Sequence, residues 1–253
     1  MKKIAVITGA SSGLGMEFAK QLDKLSEVDE IWLIARREER LRDLASKLRT
    51  ASVVISADLS QEDWESDFVQ RLEHAANADN AKIEYLINSA GLGINEKFMD
   101  TSLAANTNML DVNMRSLTRI CYLAIPFMNK GGKILNIASV AAFMPQHKFS
   151  VYAASKAYVL NFSRALNSEL EDITVIAVCP NPMETEFFAK GEVPKGFKKI
   201  GVEKVEKVAS KALRRAKRGK DISLQSFPAH VVRFISRILP HNFVLWFERK
   251  SDL

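Results

Sequence analysis

The chain has 253 residues, 47% apolar and 26% charged, the composition of an ordinary globular protein with enough length for a sizeable core. Its two cysteines, Cys121 and Cys179, each lie in an apolar run, which argues against a disulfide framework and for a reducing, cytoplasmic setting. The formal charge of +6 is uneven: residues 190–253 hold 16 Lys/Arg and 6 Asp/Glu, a net +10, so the remainder carries −4.

In chain order, the first apolar run lies in Lys3–Thr8; it is too short for a signal-peptide core and reads as a strand. A helical pattern follows over Gly13–Leu25, then a strand over Glu30–Ala35, a helix over 37–48, a strand over 52–57, a helix over 64–76 and a strand over 83–88. An apolar-periodic stretch over 111–128 is expected as one long helix. After it come a strand over 133–138, a helix over 151–170 and a strand over Thr174–Val178, with a short seventh strand expected near 221–224. Several strands are apolar almost throughout, as in a parallel sheet covered on both faces. The alternation predicts an α/β fold: a Rossmann-like doubly wound parallel sheet of about seven strands, with helices on both faces and right-handed crossovers. No Pro/Gly/Ser-rich linker or internal repeat interrupts the pattern, so residues 1–253 are expected to form a single domain. No stretch reaches the roughly 18 uncharged residues of a membrane span.

Directly after the first strand comes Thr8-Gly9-Ala10-Ser11-Ser12-Gly13-Leu14-Gly15, opening a helix. Three glycines let the backbone turn sharply and approach a pyrophosphate, while the helix N-terminus offers free N–H groups and the positive end of its dipole. Gly9, Ser11, Ser12, Gly13, Leu14 and Gly15 are therefore candidate dinucleotide ligands; the alternative is a glycine turn that serves packing alone. An acidic residue at the end of the second strand would bind the adenosine ribose of NAD. The chain has Ala35-Arg36-Arg37 there, and an arginine pairs bidentately with a 2′-phosphate. The expected cofactor is thus NADP(H), bound through Arg36 and Arg37, unless both merely open a solvated helix.

Further motifs stand in order along the chain: Asp58-Leu59 after the third strand, Asn88-Ser89-Ala90-Gly91 after the fourth, Asn113 in the long helix, Ser139 after the fifth, and Tyr152 with Lys156. With the glycine turn, they make residues 1–190 or so resemble the single-domain short-chain dehydrogenase/reductase family. The resemblance implies that Asp58 and Leu59 hold the adenine and that Asn88, Ala90 and Gly91 line the dinucleotide. It also implies a nicotinamide-side loop over 180–185, with Pro180 and Thr185 in contact with the cofactor. Two positions depart from the family pattern: Ser89 replaces an asparagine, and Asn181 replaces a glycine. Asparagine tolerates left-handed backbone better than most residues, so the loop is expected to keep its shape.

Carbonyl reduction needs a hydride from the cofactor and a proton for the developing alkoxide. Tyr152 and Lys156, four apart on an expected helix, share one face. Lowering a tyrosine pKa from about 10 to about 7 takes roughly 4 kcal/mol. A lysine charge about 4 Å away, at an effective dielectric of about 20, supplies that much, so Tyr152 is expected to be depressed and to act as the acid/base. Ser139 would hydrogen-bond the substrate oxygen. By the resemblance, Asn113 would hold a helix bend and a water that relays protons toward Lys156, while Tyr152 and Lys156 would also touch the cofactor. Taken singly, each has a plainer reading: a half-exposed helix face, a strand-end cap, a polar helix residue. His74, His147, His230 and His241 lack metal-ligand spacing, so no metal is expected. Ser139 has no His/Asp partner pattern of a hydrolase.

Substrate selection is expected from residues 140–149 and from a lid over 183–200 containing Phe187, Phe188 and Phe197. Their aromatic character suits an apolar carbonyl or alcohol substrate, or simply packs the lid. The tail over 227–253 is apolar and basic but broken by Pro228 and Pro240. It suits peripheral membrane contact, a cover for the substrate mouth, or a packing or dimer segment. The basic run over 211–220 reads as a solvated helix face, so no nucleic acid is expected. The leading expectation is a cytoplasmic, homo-oligomeric (dimer or tetramer) NADPH-dependent oxidoreductase interconverting ketones or aldehydes and alcohols. The alternatives are a reductase of carrier-bound 3-oxoacyl groups and a non-catalytic NADPH-binding regulatory protein.

Overall fold

The computed structural model describes residues 1–187 and 201–251. Strands β1 (Lys3–Thr8), β2 (Glu30–Ala35), β3 (Ala51–Ser56), β4 (Lys82–Asn88), β5 (Met128–Ile137), β6 (Thr174–Val178) and β7 (Ile222–Ser223) form one sheet. All neighbours pair in parallel, in the order β3-β2-β1-β4-β5-β6-β7. Alternate strand residues feed two cores. Ile4 and Val6 of β1 face one cluster and Ala5 and Ile7 the other, so both faces are buried and the strand reads apolar throughout.

Helices α1 (Gly13–Leu25), α2 (Glu38–Ala45) and α7 (Val205–Lys217) cover one face; α3 (Trp64–Asp79), α5 (Ser116–Ala124) and α6 (Ser150–Glu169) cover the other. Leu14, Phe18 and Leu22 place one buried stripe of α1 on the sheet. Each such side chain contributes about 1.5–3 kcal/mol by burial, more than helix propensity supplies to so short a segment. Ser26 ends α1 in the left-handed region, its N–H donating to Leu22 O at 3.1 Å.

The long helix expected over 111–128 is a composite. Helix α4 (Leu103–Leu110) begins earlier, its first turn held by Ser102 Oγ accepting from Ala105 N at 3.2 Å. A π-helical turn, Asp111–Arg115, joins it to α5, and a 3-10 turn containing Pro126 follows. Apolar periodicity does not register a turn widened by one residue. Met128, expected at the end of that helix, instead opens β5 by pairing with Ile83. Residues 129–132 carry no strand signature, and the ladder takes them in through a register shift between Ile83 and Tyr85. Helix α2 is shorter than expected, which leaves Arg37 at its N-cap and outside the helix. Helices α8 (Phe227–Ile238) and α9 (His241–Ser251) close the described chain. Most of the expected lid, with Phe188 and Phe197, lies outside the described residues, as do Asp252 and Leu253.

The strand order reverses beside β1, whose neighbours are β2 and β4. Open parallel sheets bind ligands in the crevice beyond the strand ends at such a switch.

Candidate active site

A cleft of about 380 Å³ occupies that crevice. Gly9, Ala35, Ala57, Ser89, Ala138 and Pro180 line it, each at or just beyond the C-terminal end of one of the first six strands. The β1–α1 turn forms its floor. Gly9 has φ +67°, and a Cβ there would stand 2.7 Å from Ala90 N; a Cβ on Gly15 would stand 2.4 Å from Gly9 O. The turn therefore folds back on itself and on the loop after β4, which no larger residue permits. Thr8 Oγ1 fastens the same junction, accepting from Ser89 N and Ala90 N at 3.1 Å each. Ser12 occupies the N-cap of α1 with no side-chain cap bond, so the first N–H groups of α1 have no side-chain acceptor from it. Backbone donors at a helix N-terminus over a side-chain-free turn fit the pyrophosphate of a dinucleotide.

At one end of the cleft, Arg37 donates from Nε and Nη2 to Ser11 Oγ at 3.3 and 3.2 Å. Its Nη1 meets Glu186 Oε2 at 2.7 Å, and Arg40 Nη1 meets Glu186 Oε1 at 2.6 Å. The two guanidiniums hold the Glu186 carboxyl below its ordinary pKa. Arg36 and Leu59 line the cleft nearby, as does Asp58, whose Oδ1 accepts from Ser60 N and Oγ at 3.0 and 2.9 Å.

At the other end, Ser139, Tyr152 and Lys156 line the cleft. Ser139 follows β5 and caps a 3-10 turn, Val140–Phe143, its Oγ accepting from Ala141 N at 3.2 Å. It also hydrogen-bonds Tyr152. The cap reading and the site reading of Ser139 thus coexist. Tyr152 and Lys156 stand one turn apart on α6; Lys156 Nζ lies 5.7 Å from the Tyr152 ring centre and donates to Ile137 O at 2.8 Å. Asn113 sits in the π turn and is buried. Its Oδ1 accepts from Leu92 N at 2.8 Å, and its Nδ2 donates to Leu92 O at 2.9 Å and to Ser155 Oγ at 3.0 Å. It therefore clamps the loop after β4 to α6. The rings of Phe149 and Phe187 stand 4.3 and 5.4 Å from that of Tyr152; Phe187 lines the cleft, and Phe149 is buried behind.

Four expectations are corrected. Tyr152 is not depressed: burial pushes its pKa up to about 12, against a lowering by the Ser139 bond. The same burial pushes Lys156 down to about 8, so the charge meant to lower Tyr152 is itself penalised. Asn88 does not line the cleft with its side chain. It donates to Asn136 Oδ1 at 2.8 Å and to Cys121 Sγ at 3.3 Å, inside the core, and Ser89 takes the cleft position. Gly15 likewise shapes the turn from behind, through its contact with Gly9, instead of lining the cleft. Finally, Asn181 does not use the left-handed region, where the non-glycine residues are Ser26, Asn80 and Lys148 among the described residues.

The loop after β6 keeps its course by a different device. Glu203, buried, accepts from Asn181 N at 3.2 Å and from Ser226 N at 3.0 Å, and its own N–H donates to Pro182 O at 2.9 Å. Pro180 and Thr185, held in this loop, line the cleft. Sequence reasoning missed Glu203 and Glu186. The first lies 22 positions from its partner Asn181, the second 149 from Arg37, and no local pattern marks either.

The short chain dehydrogenase family pattern matches residues 3–194. An 11-beta-hydroxysteroid dehydrogenase-like 3 protein of Arabidopsis thaliana is 34% identical over 228 residues, covering 87% of this chain and 72% of that protein. Among solved structures, a short-chain dehydrogenase from Sphingobium yanoikuyae in complex with NADPH superposes with a TM-score of 0.78 at 30% identity, over 90% of this chain and 89% of that one. A bulky-bulky ketone specific alcohol dehydrogenase from Comamonas testosteroni gives 0.75 at 29%, over 90% and 87%. With its parallel sheet, its glycine turn and this similarity along most of its length, the chain belongs to the short-chain dehydrogenase/reductase family of oxidoreductases.

Proposed function

We propose that the chain is an NADPH-dependent reductase of apolar ketones or aldehydes, running in reverse as an alcohol dehydrogenase, with Tyr152 as proton donor and acceptor. The observation that carries this reading is the pairing of Tyr152 with Ser139 beside Lys156, at the far end of the cleft that Arg37 and the glycine turn begin. When bound, the nicotinamide supplies the hydride.

The chain's residues do the rest. A hydroxyl has one proton and two lone pairs, and Ser139 spends one lone pair on Ala141 N–H. The rest of that hydroxyl is shared with Tyr152, and a carbonyl oxygen entering between the two would take over that bond and accept from Ser139 and Tyr152 together. The raised pKa keeps Tyr152 protonated at neutral pH, the form that reduction consumes. Lys156 uses one of its three N–H donors on Ile137 O, leaving two for a cofactor hydroxyl and for returning the proton to Tyr152. Asn113 acts as a positioning residue through Leu92 and Ser155. Gly9, Ser11, Ser12, Gly13 and Leu14 would cradle the pyrophosphate, Arg36 and Arg37 the 2′-phosphate, and Asp58, Leu59, Ala90, Gly91, Pro180 and Thr185 the remaining dinucleotide surface. Phe187, Leu92 and Val140 make the substrate wall apolar, in keeping with the bulky ketones named for the Comamonas enzyme.

Fluorescence titration with NADPH and NADH, followed by a ketone panel read by NADPH loss, tests the reading. Tighter NADPH and turnover of an apolar ketone are expected. Preferred NADH would overturn the cofactor assignment, and NADPH binding without turnover on any ketone would overturn the reductase assignment.

One observation also favours a peripheral membrane contact. Phe227, Phe234 and Ile238 are exposed and fall on one stripe of α8, and Phe243 and Trp246 of α9 are exposed after them. Arg233, Arg237, Arg249 and Lys250 lie among them, which suits an anionic bilayer surface. Among the described residues no helix is long and apolar enough to cross a membrane. Flotation with phosphatidylglycerol vesicles should carry the wild type and lose a Phe234→Glu/Ile238→Glu variant. No flotation, or a dimer in sedimentation that only the variant loses, would assign the stripe to a second copy of the chain.

A further inference from the structure

Three consecutive residues run along the cleft. Thr185 packs on the phosphate turn, where a Cβ on Gly13 would meet its Cγ2 at 3.3 Å; Phe187 packs on Tyr152; and Glu186 between them spans Arg37 and Arg40. Arg37 has all three nitrogens engaged, two by Ser11 and one by Glu186. Both oxygens of Glu186 are engaged as well, Oε2 by both arginines. A carboxylate and a phosphate are the two anions that a guanidinium fork binds best, and one fork edge serves only one of them. The chain thus carries an anion of its own on the arginine assigned to the 2′-phosphate.

We propose that Glu186 is an internal competitor for the 2′-phosphate of the cofactor, so that this side chain sets how strongly the protein prefers NADP(H) over NAD(H). The inference rests on reading Arg37 as the 2′-phosphate ligand. The competition is mild. All three side chains are about half exposed, and exposed ion pairs are weakened by solvent and salt. It is also selective: NAD(H) presents no phosphate at the ribose and has nothing to exchange for Glu186.

Calorimetric titration of the full chain and of Glu186→Gln with 2′,5′-ADP, 5′-ADP, NADPH and NADH tests it. The variant should bind 2′,5′-ADP and NADPH about three- to tenfold more tightly, since up to about 1.4 kcal/mol separates tenfold affinities, and should bind NADH as the wild type does. Unchanged or weaker NADPH binding would overturn the proposal, because Glu186 would then be neutral toward the cofactor or close over it. Equal gains for NADH and NADPH would overturn it too, by making Glu186 an obstacle to the whole dinucleotide. If wild-type protein binds 2′,5′-ADP no better than 5′-ADP, the NADPH reading itself fails. A wild type that prefers 2′,5′-ADP while Glu186→Gln changes nothing defeats the competitor alone.

Discussion

At the end of the cleft beside β2, Arg37, Arg40 and Glu186 keep side chains 44%, 47% and 53% exposed. At the end beside β5 and α6, Lys156 and Tyr152 are only 3% and 7% exposed. Water screens the first group, so its charges stay charged, cost little and exchange partners readily. The second group has lost its water, and each member shifts toward its neutral form: the amine of Lys156 falls to about 8 and the phenol of Tyr152 rises to about 12. Recognition of an anion needs the first condition. Proton transfer from a held hydroxyl needs the second, where hydrogen bonds act at low effective dielectric. One cleft thus combines a reversible electrostatic end with a costly, preorganised one.

The comparison breaks most visibly at Tyr152. Tyr152→Phe keeps the ring that packs between Phe149 and Phe187 and removes only the hydroxyl. Turnover should fall about 10²–10⁴-fold while NADPH affinity, measured by titration, stays as in the wild type. A loss of both would mean that the hydroxyl holds the cofactor.

Lys156→Met sharpens the contrast by separating activity from stability. The amine titrates near 8 when folded and near 10.5 when unfolded, so the unfolded chain binds the proton more tightly between these values. Burying the charge therefore opposes folding below about pH 8, and the penalty fades as pH rises toward 10.5. At pH 7 the variant should be more stable in urea, by up to about 3 kcal/mol, though it loses turnover. In the wild type, kcat/KM for reduction should decline as pH rises through about 8, because Lys156 loses its charge well before Tyr152 ionises. A decline found only near pH 10 would overturn this assignment.

Arg37→Ala probes the exposed end, where the effect is smallest. NADPH binding should weaken about tenfold and lose part of its salt dependence, with NADH binding unchanged. Equal weakening of both cofactors would show that Arg37 acts through the turn at Ser11 and not on a phosphate.

Much of this was legible in the chain. Strands β1, β2 and β6 and helix α1 fall where periodicity and the glycine turn put them. Gly9, Ser11, Ser12, Gly13 and Leu14 of the turn, with Arg37, Ser139, Tyr152 and Lys156, do share one cleft. Glu186 and Glu203 were not legible, since each acts on partners brought close only by the folded chain. A bend at Asn113 was expected from the family resemblance alone; apolar periodicity gave one continuous helix there and did not reveal the π turn.

The sequence by itself determined the order of the seven strands, the parallel sheet and the position of the glycine turn. These follow from alternation at period two or 3.6 and from glycine φ/ψ freedom, which are properties of neighbouring residues. Tertiary structure alone decided which way Asn88 points, what Arg37 holds, how the loop at Asn181 is kept in place, and the protonation of Tyr152 and Lys156. Those depend on desolvation and on contacts between distant segments, and neither exists until the chain has folded.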